Sequence, residues 1–301
     1  MRSRAAARSV VAMRPSLPSL AAAVGATAAA LAAAGPAQGA DAIYGGAAKG
    51  GAPIVVKADA KLQTLQSIVL SWAAPCSDGR YYGTGGELTP AEPVAGFSPG
   101  PRELLVERNA KGKFSGTQLY ASDLGSAVAA IQVQVSGKLT PKRSSGTLSA
   151  IAKIADKATG AEVTSCQTGT LKWDAARNPG IVYGGATSQG EPIVLRLAAD
   201  RTRVSDVITT WEAPCGEAGS WRAPDHFVNF PVKRTGRFGN PFADDATVAD
   251  GTKRHWDYSI AGLLKKNNAK GTLQVKVTET DAAGTATNCD SGKVTWKVAT
   301  G

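Results

Sequence analysis

Catalytic side chains are scarce in this chain. Its 301 residues hold two His, four Cys and two Met. No H-E-x-x-H run, no C-x-x-C pair and no G-x-x-x-x-G-K-[ST] phosphate loop occurs, which removes the usual zinc-peptidase, zinc-ribbon and nucleotide-binding signatures. Aromatic residues are 6% of the chain, and no basic cluster has aromatics interleaved with it, so a nucleic-acid platform is not indicated. Nor is there an apolar run long enough for a membrane helix. The longest such stretch, Leu20 to Ala34, is 15 residues and mostly Ala, short of the roughly 20 that a span requires.

That stretch has a different meaning. It follows Arg2, Arg4, Arg8 and Arg14, with no acid before it, and precedes small residues at Ala37-Gln38-Gly39 and Ala40-Asp41-Ala42. A basic head, an apolar middle and a small-residue exit are the layout of a secretory signal, so residues 1–42 are expected to be a leader. An organelle transit peptide is the alternative. The whole chain has 34 basic and 24 acidic residues. Without the four leader arginines the excess falls from +10 to +6. So mild a charge favours loose association with acidic polymers and identifies no nucleic-acid partner.

What the chain does have, it has twice. Tyr44-Gly45-Gly46, Pro53-Ile54-Val55, Trp72 and Ala74-Pro75-Cys76 return as Tyr183-Gly184-Gly185, Pro192-Ile193-Val194, Trp211 and Ala213-Pro214-Cys215, each shifted by 139 residues. Further on, Cys166, Gly169 and Trp173 return as Cys289, Gly292 and Trp296. The expected organisation is a leader (1–42), a first repeat (43–173), a linker (174–180) built on Asn178-Pro179-Gly180, and a second repeat (181–301). Two cysteines at equivalent places in each copy read as one disulfide per copy, Cys76–Cys166 and Cys215–Cys289.

Strand patterns fill both copies. In Ile131-Gln132-Val133-Gln134-Val135 the side chains alternate, as they do from Leu273 to Thr278, so one face of each segment meets a core. About seven or eight strands per copy, punctuated by Gly turns and without an amphipathic helix, predict an all-β protein: two tandem antiparallel sandwich or barrel-like domains. An immunoglobulin label does not fit, because Trp72 and Trp211 precede their cysteines by four residues. Cys76 to Gly112 spans 36 residues where Cys215 to Gly236 spans 21. The difference is expected in Gly83–Pro101, as an inserted surface loop.

Shared residues sort into turns, staples and core. Tyr-Gly-Gly reads as a close backbone approach with a packed ring, and the four repeated tryptophans as core around the disulfides. The basic segments Lys138–Arg143 and Lys265–Lys270 read as hairpin tips. Binding is then expected where the copies differ: Trp221, Trp256 and the Tyr81-Tyr82 pair, none of which has an evident counterpart, are the candidate ligand-binding aromatics. His226 and His255 each have an Asp beside them in sequence, but neighbours on a strand face opposite ways. Asp244, Asp245 and Asp250 lack the spacing of a calcium loop. No catalytic residue, metal or cofactor is assigned.

The function expected is a secreted or periplasmic, non-catalytic binding or cell-envelope module whose partner is an envelope polymer or extracellular glycan. An extracellular hydrolase using Glu87, Glu92, Asp225 or His226 is one alternative. The other is a small-ligand carrier with a large apolar cavity inside each barrel.

Overall fold

The computed structural model describes residues 41–92, 100–216, 219–248 and 251–301. The expected leader therefore lies almost wholly outside the described residues. So do residues 93–99 of the expected insertion, and Asp250.

The first repeat contains ten strands: β1 (Ala42–Ala48), β2 (Pro53–Ala58), β3 (Leu65–Pro75), β4 (Tyr81–Ala91), β5 (Glu103–Ala110), β6 (Lys113–Asp123), β7 (Ala127–Leu139), β8 (Arg143–Asp156), β9 (Glu162–Gln167) and β10 (Leu171–Ala176). The second repeat also has ten: β11 (Val182–Thr187), β12 (Pro192–Leu197), β13 (Arg203–Pro214), β14 (Ser220–Pro231), β15 (Arg237–Phe238), β16 (Pro241–Thr247), β17 (Lys253–Leu264), β18 (Asn268–Thr280), β19 (Ala286–Asp290) and β20 (Val294–Ala299). The excess over the sequence count comes from short edge segments with little alternation, such as β15 and β19. The alternating segments behave as their pattern requires. Ile131, Val133 and Val135 are buried, while Gln134 between them is exposed. No α-helix occurs among the described residues, and no helix there is long and apolar enough to cross a membrane.

The first sheet closes on itself. Strands β1 to β8 pair in sequence order, and β10 returns to bridge β8 and β1. Strand β8 is long enough to serve two partners, with Arg143–Leu148 on β10 and Ile151–Ala155 on β9. Every pairing is antiparallel except β4 with β5, which is parallel. This corrects the expected insertion. Gly83–Ala91 is not a loop but most of β4, the counterpart of β14. The extra length supplies the connection after β4 and the strand β5, which closes the ring. The second repeat lacks such a strand. Its sheet runs β14–β13–β12–β11–β20–β18–β17, with β15 and β16 both on β17, and no described ladder joins β14 to β16. Side chains span that flank instead. Phe227 of β14 meets Phe242 of β16 at 5.6 Å and Tyr258 of β17 at 5.3 Å between ring centroids, and Phe230 meets Phe238 at 6.5 Å. Such ring pairs contribute about 0.5–1.5 kcal/mol each beyond their buried area.

Each core is built around the repeated residues. Trp72, Trp173, Trp211 and Trp296 are all at most 3% exposed. Disulfides join Cys76 to Cys166 and Cys215 to Cys289, and no free cysteine remains. Two such staples mark an oxidising, extracytoplasmic environment. The Tyr-Gly-Gly motif has three separate jobs. The Tyr44 hydroxyl donates to the Thr140 carbonyl at 2.9 Å and Tyr183 to that of Lys266 at 2.9 Å, tethering the basic hairpin tip in each copy. Gly46 and Gly185 admit the neighbouring strand, whose carbonyl oxygens would lie 1.8 and 2.0 Å from an added Cβ. Gly45 and Gly184 face the other repeat.

The two repeats belong to one compact unit, Gln38–Gly301. Strand β10 runs through Ala176, so the connection to β11 is residues 177–181. Strands β1–β3 pack on β11–β13 through Ile43, Val55, Val69, Val194 and Ile208. The contact is reciprocal. A Cβ on Gly45 would meet Val194 at 2.7 Å and Val182 at 3.1 Å; one on Gly184 would meet Val55 at 2.6 Å and Ile43 at 3.1 Å. These are the same positions 139 residues apart. Ser71 and Thr210, also equivalent, share a buried hydrogen bond of 2.7 Å. This is the isologous geometry of a two-fold dimer, here within one chain.

Two expectations follow. Gly184→Ala places a methyl against Val55 and should cost about 1–3 kcal/mol in denaturant unfolding. Gly86→Ala, where a Cβ meets nothing within 4 Å, should stay within about 0.5 kcal/mol; equal effects would disprove close approach as the constraint. Replacing Cys215 and Cys289 together by Ala should cost up to about 4–5 kcal/mol, the chain-entropy figure for a loop of this size, read as the fall in denaturant midpoint.

Candidate functional site

The second barrel differs from the first at one mouth. On β14 the inward positions are Trp221, Ala223, Asp225 and Phe227; on β17 they are Arg254, Trp256, Tyr258 and Ile260. Trp221 and Trp256 meet edge to face at 6.3 Å between centroids, across the flank that no ladder closes. The Arg254 guanidinium lies 4.8 Å from the centre of the Trp221 ring, and its Nε donates to Glu279 on β18 at 2.7 Å. Both indoles are half-buried and rest on the core.

Deeper in the same barrel, Asp225 accepts a bond from Trp211 Nε1 at 2.5 Å. Burial pushes the Asp225 carboxyl above its ordinary range; bonds from Trp211 and Tyr258 pull it down, and Asp244 pushes it up again. Burial, then the neighbouring Asp225, lifts the Tyr258 hydroxyl far above the ordinary phenol range, so it stays a donor. The mouth thus combines two aromatic edges, an ion pair and a carboxylate already holding two donors.

Ladder registers show what the first barrel has instead. Trp221 pairs with Ala213 as Tyr82 pairs with Ala74, so Tyr82 is its counterpart. Residue identity hid this equivalence in the sequence. The cross-strand pair Arg254–Glu279 answers to Ala129–Ile154, and Trp256–Val277 to Ile131–Ala152. Asp225 answers to Gly86. The first barrel's mouth is therefore apolar where the second is charged and aromatic.

The other candidates are dispersed. Tyr81 and Tyr82 point to opposite faces: Tyr82 packs against Trp72 at 6.0 Å, and Tyr81 is 76% exposed. Glu87 is held on the outside by Lys57 Nζ at 2.8 Å and Ser67 Oγ at 2.7 Å. Glu92 is exposed. His226 points away from Asp225 and pairs with Asp206 at 2.7 Å. His255, exposed, lies between Asp245 at 2.7 Å and Asp257 at 3.3 Å, and the Asp245 carboxylate raises its imidazole pKa. The four hydrolase suspects do not converge on one cleft. Asp244 and Asp245 face opposite sides of β16, and among the described residues no group of three or more His, Cys, Asp or Glu could hold a metal ion. Gly96-Phe97-Ser98-Pro99-Gly100 spells the letters of a nucleophile elbow. Yet the elements on either side, β4 and β5, are both strands, and an elbow needs a strand-to-helix turn. Both interiors are filled, by Trp72, Phe114 and Trp173 in one and Trp211, Phe238 and Trp296 in the other. A cavity of about 540 Å³ lies over outward-facing residues of β17, β18 and β20, including Lys270 and Lys297. That is not the barrel interior a carrier would use.

A raised carboxyl pKa means the folded state holds its proton more tightly than the unfolded one. Stability then falls as pH rises from the unfolded carboxylate range through the folded value. Asp225→Asn keeps an acceptor for Trp211 and removes the buried charge. It should raise Tm at neutral pH and leave it unchanged in acid; a Tm deficit at neutral pH would show that the carboxylate is net stabilising.

No protein-family model matches this chain, and no curated protein is significantly similar to it. Among solved structures, it is similar to a crystal structure of a candidate AttH protein from Nitrosomonas europaea. The match covers 85% of this chain and 90% of that one, with 10% sequence identity and a TM-score of 0.19. At that score the likeness bears on neither the fold nor the function of this protein.

Proposed function

We propose that this protein is an exported, non-catalytic binding module, secreted or periplasmic, that holds an extracellular glycan or cell-envelope polymer at the mouth of its second barrel. The observation that carries the reading is the Trp221–Trp256 pair with Arg254 beside it. The two copies share a scaffold, and here one copy has replaced Tyr82, Ala129, Ile131 and Ile154 by Trp, Arg, Trp and Glu. Aromatic edges give a sugar ring an apolar face to rest on, and the guanidinium, Glu279 and Asp225 offer hydroxyl groups donors and acceptors. Export is supported by the basic head and apolar run of the first 42 residues, and by both disulfides. The mature excess of positive charge draws the protein towards acidic envelope polymers.

The test is a glycan and cell-wall-fraction binding screen. Trp221→Ala and Trp256→Ala should each weaken retention by about tenfold or more, the loss expected of a central aromatic anchor. Tyr81→Ala, on the other barrel, should bind as the parent does. Parent-like retention by both folded tryptophan variants, or no retention of the parent on any fraction, would remove the reading.

A further inference from the structure

The seam between the repeats is reciprocal at its centre and unequal at its two ends. At one end, Glu191 is 4% exposed and takes Arg222 Nε at 3.1 Å and Nη2 at 2.7 Å to each oxygen. Arg222 Nη1 crosses to the first repeat and donates to the Trp72 carbonyl at 3.1 Å. Gln189 bonds the backbone of Glu212 through both halves of its amide, at 2.6 and 3.1 Å. Room for the ion pair is left by the opposite repeat, where an added Cβ on Gly85 would lie 2.5 Å from Glu191 Oε2 and one on Gly83 3.0 Å from Arg222 Nη1. Burial pushes the Glu191 carboxyl up while the guanidinium pulls it down.

At the other end, 139 residues earlier, the same four positions are Gly50, Ala52, Ala73 and Gly83. Every polar side chain of the filled end is cut back to glycine or alanine. The result is a cavity of about 270 Å³, lined among others by Lys49, Ala52, Ala73, Ser71, Thr210 and Arg222. Lys49 and Arg222 are the charged residues of its lining, and no carboxylate lines it. The bonds to Glu191 and Trp72 account for four of the five N–H groups of the guanidinium, which leaves one on Nη1 for the cavity.

We propose that this cavity is a binding site for a monosaccharide-sized carboxylate of the uronate class. The filled end shows what the seam accepts there: a carboxylate against Arg222, reaching inward from position 191. Position 52 lacks one, and a ligand carboxylate facing Nη1 and the Lys49 ammonium supplies it. The hydrogen-bonded Ser71–Thr210 pair has lone pairs and a hydroxyl proton left for ligand hydroxyls. The volume lies just under the lower end of the range for small-molecule pockets, which suits one ring and not a polymer. This site is separate from the tryptophan mouth of the second barrel.

Calorimetric titration of the full chain with glucuronate and with glucose tests it. Glucuronate should bind at millimolar concentrations or below, and glucose at least about tenfold more weakly. Ala52→Glu, which refills the cavity with a tethered carboxylate, should abolish glucuronate binding, while Trp221→Ala should leave it unchanged even if it loses polymer binding. If Ala52→Glu does not fold, exposed Lys49→Ala must weaken glucuronate by about tenfold. Absence of glucuronate binding, equal binding of glucose, parent-like binding by folded Ala52→Glu, or loss of glucuronate in Trp221→Ala would each overturn the proposal.

Discussion

Two glycines and two valines fix the geometry of the whole molecule. Gly45 admits Val194 and Gly184 admits Val55, so the two sheets touch backbone to side chain along one reciprocal line. A barrel exterior is ordinarily polar; here Ile43, Val55, Val69, Val194 and Ile208 turn outward and are buried only because the other repeat covers them. Neither barrel would leave that strip in water without a large exposed apolar patch. The connection between repeats, residues 177–181, is short enough to keep the partner close at hand. The seam therefore makes two barrels into one unit and sets where everything else lies relative to the axis between Ser71 and Thr210.

With the scaffold fixed twice over, one copy became free to change. The first barrel closes by backbone bonds and keeps an apolar mouth. The second, lacking β5, holds its open flank with rings and places charge where its twin has Ala129, Ile154 and Gly86. The same asymmetry recurs at the seam, where Glu191 and Arg222 face glycines and their own counterparts are Ala52 and Gly83. In both places the polar groups belong to the second repeat.

Much of this is legible in the sequence, for a physical reason. A duplicated chain marks its structural residues by repeating them, so disulfide pairing, the tryptophan cores and the all-β class follow from spacing and alternation. The misreadings have physical reasons as well. Gly83, Gly85 and Gly86 make β4 look like a loop, because strand patterns weigh side chains and these positions have none. At Gly83 and Gly85 the missing Cβ is what the other repeat's ion pair requires, a fact no local pattern contains. Trp221 lost its counterpart for the opposite reason, since the ladder position is kept while the ring is exchanged. The Arg254–Glu279 pair escaped notice because a cross-strand neighbour is defined by register, which periodicity alone does not set.

The flank between β14 and β16 also has a mechanical meaning. A closed ring of backbone ladders has no edge at which to begin opening, whereas a seam of Phe227, Phe230, Phe242 and Tyr258 can separate ring by ring. Opening it would bare two strand edges, and these carry the features that discourage pairing with a stranger: Pro224, Pro231 and Pro241 interrupt the donors, and Asp244 and Asp245 add like charge. The second barrel is thus the wall of the molecule able to swing open and close again without being captured by a neighbouring chain.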